Sequence, residues 1–285
     1  MERSVFYDLA CESFSRKECE EQGSKFWESS AGDLQIRWGE DERHGRYAVF
    51  FTKPLSWIEN AYFLSVREKV AEELFSIFLE MMPRKRGKSR SLLVAGLGNP
   101  KMTADALGAE VADRVTVTRK IYELSDRFSP MSVSAISTGV LGTTGIETIE
   151  HLQALCQQIS PDVVLTVDAL AAKRSERLGA TIQISTGGIS PGSGLKQPQK
   201  RLNYQSLGVP VISIGVPTVI HASAILGEAF TELGVFEWES AQELLAKEKN
   251  FFVMPKESDL LLRSSAQLLS SAINQACMRF SEDFT

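Results

Sequence analysis

Asp105 and Asp168 are the residues whose type and placement best suit chemistry. Each stands just past a short apolar run. The first run is Leu92-Leu93-Val94-Ala95-Gly96-Leu97, continuing through Gly98-Asn99-Pro100-Lys101-Met102-Thr103-Ala104 to Asp105. The second is Val163-Val164-Leu165-Thr166-Val167, followed at once by Asp168. Short Val/Leu-rich runs without alternation read as buried parallel strands. In open α/β sheets ligands bind outside the carboxyl ends of such strands. That rule puts Asp168 at a strand end and Asp105 in the loop or first helical turn after another. Two carboxylates that meet there can share a proton, divide into acid and base, or hold a metal.

Two glycine-rich segments accompany the pair. Gly96-Leu97-Gly98-Asn99 has neither the third glycine of a dinucleotide fingerprint nor the Gly-Lys-Ser/Thr of a Walker loop. It reads as a tight turn that lets backbone approach a ligand. Thr186-Gly187-Gly188-Ile189-Ser190-Pro191-Gly192-Ser193-Gly194 follows a further strand. Such a loop either points several N–H groups at one place, as an oxyanion or substrate-backbone site needs, or is simply mobile. Thr138–Gly145 has the same character.

A Ser-His-Asp site finds little support, because the histidines are only His44, His151 and His221. His44 falls in a predicted hairpin turn, where a surface position is expected, and His151 falls within a predicted helix. His221 follows Gly215-Val216-Pro217-Thr218-Val219-Ile220, just beyond a strand. It either completes an Asp105/Asp168/His221 metal triad or serves as a packing and hydrogen-bonding histidine.

The elements that must position these groups follow from periodicity. Residues 1–35 are polar and read as an extended arm. Residues 35–52 read as a hairpin turning through Glu40–Gly45. From Ile58 to Met82 apolar residues recur at helical spacing, giving one long amphipathic helix. The basic run Pro83–Arg90 reads as a solvated linker. Strands are expected at 92–96, 163–167, 180–185 and 209–216. Helices are expected from about Thr103 (as N-cap) to Arg114, from Gly145 to Ile159, after His221, and from about Ser258 to Met278. This alternation predicts an α/β fold: a mainly parallel twisted sheet flanked by helices, with an N-terminal arm and hairpin extension. The organisation expected is one α/β domain over 9–285, in which 9–90 form the arm, hairpin and long helix and 91–285 the catalytic core.

Composition narrows the function. The 285 residues are 43% hydrophobic and 24% charged, as in soluble globular chains. The net charge of −5 gives no case for nucleic-acid binding. Cys11, Cys19, Cys156 and Cys277 contain no CxxC pair and match no zinc spacing, so reduced thiols in a cytosol-type compartment are expected. No run of about 18 apolar residues exists to span a membrane.

Together the motifs resemble the germination proteases of endospore-forming bacteria, which degrade small acid-soluble spore proteins. The matching pieces are Gly96-Leu97-Gly98-Asn99 with Thr103–Gly108, Thr118-Arg119 and Thr143–Thr148. Pro161-Asp162 with Asp168–Ala172, Ala180–Ile184 and Gly188–Gly194 continue the match. Leu207–Ile212, Gly215–Val219 and Phe251–Glu257 complete it. The order and spacing fit over most of residues 92–280, and 12–90 fit weakly.

The resemblance implies an atypical aspartic-type endopeptidase fold, phosphorylase/hydrolase-like and similar to the hydrogenase-maturation peptidases. It implies Asp105 and Asp168 as the essential pair, with Gly187, Gly188, Gly192, Ser193 and Gly194 as a substrate or oxyanion loop. It further implies a self-processed precursor with 1–8 as propeptide, cut between Asp8 and Leu9, and a homotetramer in the cytoplasm of the forespore or spore core. The substrates would be small acid-soluble spore proteins, cut after acidic residues, with no direct nucleic-acid or membrane partner. No cofactor is expected; a divalent metal on Asp105, Asp168 and His221 is the metallopeptidase alternative, and a non-catalytic spore-protein binder is another. His221 stands where the family usually has an acidic residue, and Leu195-Lys196-Gln197-Pro198 replaces the family's usual Val-Gly-Asn.

Overall fold

The computed structural model describes Leu9 and residues 26–41, 44–82, 89–124, 131–192, 200–234 and 251–282. Asp8, Cys11, Cys19, most of the basic run 83–90, Ser193, Gly194 and the segment 195–198 lie outside them. Within the described residues the chain folds around one nine-stranded sheet. The strands are β1 (Phe26–Ala31), β2 (Leu34–Asp41), β3 (Gly45–Phe51), β4 (Arg90–Leu97), β5 (Met131–Gly139), β6 (Val163–Ala172), β7 (Thr181–Ser185), β8 (Val211–His221) and β9 (Phe252–Val253). Their order is β1-β2-β3-β7-β8-β6-β4-β5, with β9 on β8.

The sheet is mixed, which corrects the expectation of a mainly parallel one. β5, β4, β6 and β8 form a parallel centre. β7 runs antiparallel to β8, and β3 and β2 continue antiparallel from it. The expected hairpin is therefore part of the main sheet, and β1 carries the sheet on into the stretch expected as an arm. The physical cause lies in β3: Ala48, Val49 and Phe50 are all fully buried, so this strand needs cover on both faces and a neighbour on each edge.

Alternation along the central strands sorts the core into two faces. Leu92, Val94, Val163, Leu165, Val167, Ile212 and Ile214 face the long helix α1 (Asn60–Met81). The short helix α2 (Leu107–Ala112) packs on the same side, through Leu107 and Val111. The other residues, among them Leu93, Ala95, Leu97, Val164 and Val211, face a different set of helices. Past α3 (Arg119–Leu124) and the single turn α4 (Leu141–Thr144), these are α5 (Thr148–Ile159) and α6 (Tyr204–Leu207). Helix α7 (Ala222–Glu232) follows β8, and α8 (Ser258–Glu282) crosses the first face against α1 and α2. Helix α5 stops where expected, with Ser160 left-handed (φ 49°) before Pro161. Among the described residues no helix is long and apolar enough to cross a membrane.

The α1–α8 seam is closed by aromatic packing. Phe280 is fully buried, with edge-on contacts to Phe75 and Phe78 at 6.2 and 6.5 Å between centroids. The Arg90 guanidinium lies 4.9 Å over the same ring. Phe280→Ala is expected to cost about 3–5 kcal/mol, read as a lower denaturant midpoint with unchanged slope. A loss under about 1 kcal/mol would mean that this seam contributes little to the core.

Candidate functional site

The structure brings the backbone segments of the two aspartates together by close packing of glycines. Gly96 and Gly108 face each other at the end of β4 and the start of α2. A Cβ on Gly96 would lie 2.1 Å from the Gly108 carbonyl oxygen. A Cβ on Gly108 would lie 2.4 Å from the backbone of Leu97 and 2.4 Å from the Val167 carbonyl oxygen. Helix α2 thus starts directly against β6, at the residue before Asp168. Asp105 ends the short 3-10 turn Thr103–Asp105 that leads into it. That turn contacts β6 and β8, and is held by Thr218 Oγ1, which donates to the Ala104 carbonyl at 2.6 Å. Thr103 is not the expected N-cap; its hydroxyl donates to Asp259 instead, tying the turn to α8.

The Asp105 carboxylate faces back onto the turn after β4. Its Oδ2 accepts the Asn99 backbone N–H at 2.7 Å. Gly98, at φ +96°, wraps over it, and a Cβ there would lie 2.1 Å from the Asp105 carbonyl oxygen and 2.8 Å from Oδ1. Only glycine allows this wrap. Burial pushes the Asp105 carboxyl up from its ordinary value of 3.8, and the Asn99 N–H offsets this only in part.

A carboxyl whose pKa is raised in the folded state binds more protons folded than unfolded between the two pKa values. Stability then falls as pH rises through that window, and the cost stays in place above it. Asp105→Asn removes the cost while keeping an acceptor for Asn99. The variant is expected to melt a few degrees above the parent at neutral pH, with the gap closing as pH falls below the ordinary aspartate range. A variant less stable than the parent at neutral pH, or a gap that ignores pH, contradicts this.

Asp168 lies within β6 rather than at its end, because β8 is long enough to pair with β6 as far as Ala172↔Ile220. The ladder to β4, however, ends at Gly96↔Val167. Asp168 therefore stands where one neighbour strand leaves and the Asp105 turn comes in. Its side chain follows Val164 and Thr166 on the α5 face, is buried, and takes the Ala169 N–H on Oδ1 at 2.9 Å.

His221 stands well along β8 from Asp168. It is the last residue of β8, six positions beyond Gly215, the partner of Asp168. At about 3.3 Å per residue that is roughly 20 Å along the strand. Its Nδ1 lies 2.6 Å from Ser223 Oγ and accepts the Ser223 N–H at 3.2 Å, capping α7. Among the described residues no group of three or more His, Cys, Asp or Glu is placed to hold a metal ion.

In the glycine loop the Gly187 N–H donates to the His44 carbonyl at 2.6 Å, and Ile189 exchanges backbone hydrogen bonds with Leu202, so these two donors tie the loop to neighbouring segments. Gly188-Ile189-Ser190-Pro191-Gly192 has the spacing of a nucleophile elbow. Its Ile189 bridge to Leu202 nevertheless puts Ser190 in a loop rather than at a strand-to-helix turn. Gly188 and Ser190 line a cavity of about 30 Å³ on the same sheet face as Asp168. Leu9, the expected residue after the processing cut, is fully buried.

His44 corrects the surface expectation. It is buried, with its ring Nδ1 2.9 Å from Asp41 Oδ2, and it lines the same cavity. Gln183, Ser185 and Ser213, which sequence reasoning missed, line it too. Polar residues at alternating positions in otherwise apolar strands were the available signal.

Comparison with known proteins identifies the family. The family model described as germination protease matches residues 12–235. The germination protease of Caldanaerobacter subterraneus subsp. tengcongensis is 41% identical over 243 residues, covering 75% of this chain and 73% of the relative. That of Clostridium tetani is 34% identical over 249 residues, covering 76% and 75%. That of Priestia megaterium is 42% identical over 169 residues, covering 57% and 45%. On this breadth of match, the chain belongs to the germination protease family, whose members are peptidases.

Proposed function

We propose that the chain is an aspartic-type endopeptidase that starts the degradation of small acid-soluble, DNA-binding spore proteins during germination. One observation carries this reading: helix α2 packs directly against β6, with Gly108 at the Val167 carbonyl just before Asp168, and the Asp105 turn that leads into α2 contacts the same strand. The raised Asp105 carboxyl holds its proton to higher pH than an ordinary aspartate. Asp105 then protonates the leaving amine while Asp168 takes a proton from the attacking water. The water adds to the scissile carbonyl, the C–N bond breaks, and the two carboxyls end with their protons exchanged. The fold that goes with this reading is the one the hydrogenase-maturation peptidases use. A precursor processed at Asp8–Leu9, a homotetramer and residence in the forespore or spore core belong to the same reading.

The test is digestion of a purified small acid-soluble spore protein by the mature chain, with the cut bonds mapped by mass spectrometry. Cuts confined to a few bonds support the reading. An intact substrate, from folded and processed chain, contradicts it and favours a binder without activity.

A further inference from the structure

Pro217 stands inside β8, a strand with neighbours on both sides, and has no N–H to give a ladder. The register with β6 shifts there. Leu170 pairs with Pro217 and Ala171 with Val219, so Thr218 is an extra residue opposite that step. The Gly179 N–H donates to the Pro217 carbonyl at 2.8 Å and pins the irregular turn of chain from the side. The ladder of β4 and β5 shifts in the same way. Gly96 pairs with Ser137 and Leu97 with Gly139, which leaves Thr138 as the extra residue. Bulges are uncommon in parallel pairs and gather beside active sites, where they re-aim a side chain. Here both extra residues are threonines and both are buried. They stand on β8 and β5, the two strands that flank β6 and β4.

Both hydroxyls turn onto the connection that carries Asp105. Thr218 Oγ1 donates to the carbonyl of Ala104, the residue before Asp105, at 2.6 Å. Thr138 Oγ1 lies 3.3 Å from the Gly96 carbonyl and 3.1 Å from that of Gly139, with one proton to share between them. Gly96 begins the connection and Ala104 ends it. A single 3-10 turn has little strength of its own, so its place depends on what grips it. We propose that Thr218 is the positioning residue for Asp105: the β8 bulge aims its hydroxyl at the Asp105 turn and holds that turn against β6, while Thr138 steadies the other end of the connection. The effect on the reaction rests on the endopeptidase reading, but the grip on the turn does not.

Two measurements separate the grip from the reaction. Thr218→Val keeps the shape and loses the O–H, and Thr218→Ser keeps the O–H. The first measurement is amide hydrogen exchange by NMR at Asn99, whose N–H the Asp105 carboxylate accepts. Exchange there should quicken by roughly 3- to 10-fold in Thr218→Val relative to the β6 amides, and stay near the parent rate in Thr218→Ser. The second is kcat and KM for spore-protein cleavage, at a temperature where circular dichroism shows every variant folded. Thr218→Val should lower kcat by roughly 10- to 100-fold with KM little changed, and Thr218→Ser should recover most of it. Thr138→Val should lower kcat by less than Thr218→Val. In an Asp105→Asn background, Thr218→Val should cost nothing more, because it acts through Asp105. Asn99 exchange unchanged in Thr218→Val overturns the grip. Quickened exchange with kcat intact, or a loss that multiplies with that of Asp105→Asn, overturns the positioning role and leaves the endopeptidase standing. Quickened exchange in a chain whose parent form cuts nothing upholds the grip and removes the endopeptidase reading.

Discussion

Asp105→Asn and Asp168→Asn are each expected to lower peptide-bond cleavage by roughly 10²- to 10⁴-fold, the usual contribution of a positioned acid or base. Asparagine keeps the size and an acceptor oxygen but can neither take the water's proton nor give one to the leaving amine. The Asn99 N–H still finds its partner at position 105, and the Ala169 N–H at 168. Both variants should therefore fold, shown by an unchanged circular dichroism spectrum and cooperative melting. Because the two groups act on one proton inventory, the double variant should be little worse than either single one. Full activity in either single variant would remove the pair as the catalytic unit. Multiplying losses in the double variant would show two independent contributions.

Gly108→Ala is expected to have the second-largest effect, with a sign opposite to propensity. Alanine in a helix is normally better than glycine by about 1 kcal/mol. Here the new Cβ would meet the Leu97 backbone and the Val167 carbonyl at 2.4 Å, all main-chain atoms with no rotamer to relieve them. Helix α2 must lift off the sheet by about 1 Å, and overpacking of this kind costs about 1–3 kcal/mol. The same shift carries the Asp105 turn away from Asp168, and a misplacement of that size can cost about 10²-fold in rate. Gly142→Ala is the control: it lies in α4, where an added Cβ would meet nothing within 4 Å, and should leave stability and cleavage unchanged. A Gly108→Ala protein as stable and active as the parent would show that the close packing does not position Asp105.

Much of the site's framework was legible because buried central strands announce themselves. The runs Leu92–Leu97 and Val163–Val167 lack polar interruption apart from Thr166, and each is followed by one of the two aspartates. The length of β6 was not legible: Ala169–Ala172 continues as strand only because β8 extends beside it, a fact of the partner rather than of β6. The direction of β7 was equally hidden, since a short, largely apolar strand reads the same in either sense. For β3 a signal existed and pointed away from a plain hairpin, because Ala48, Val49 and Phe50 have no polar alternate and so need burial on both faces. His44 carried no local signal. What covers it is Thr186–Gly187, far along the chain and brought in around the Arg46–Thr186 hydrogen bond. His221 looked close to Asp168 in strand order, but β8 runs on past Gly215 and carries it away from that residue.

The measurement that bears most directly on the central claim is cleavage of a small acid-soluble spore protein by the mature chain, with and without a strong metal chelator. An aspartate pair that activates water by proton transfer alone predicts the same rate and the same cut bonds in both conditions. Cleavage lost on chelation and restored by a divalent cation would contradict it, and would turn Asp105 and Asp168 from proton carriers into metal ligands.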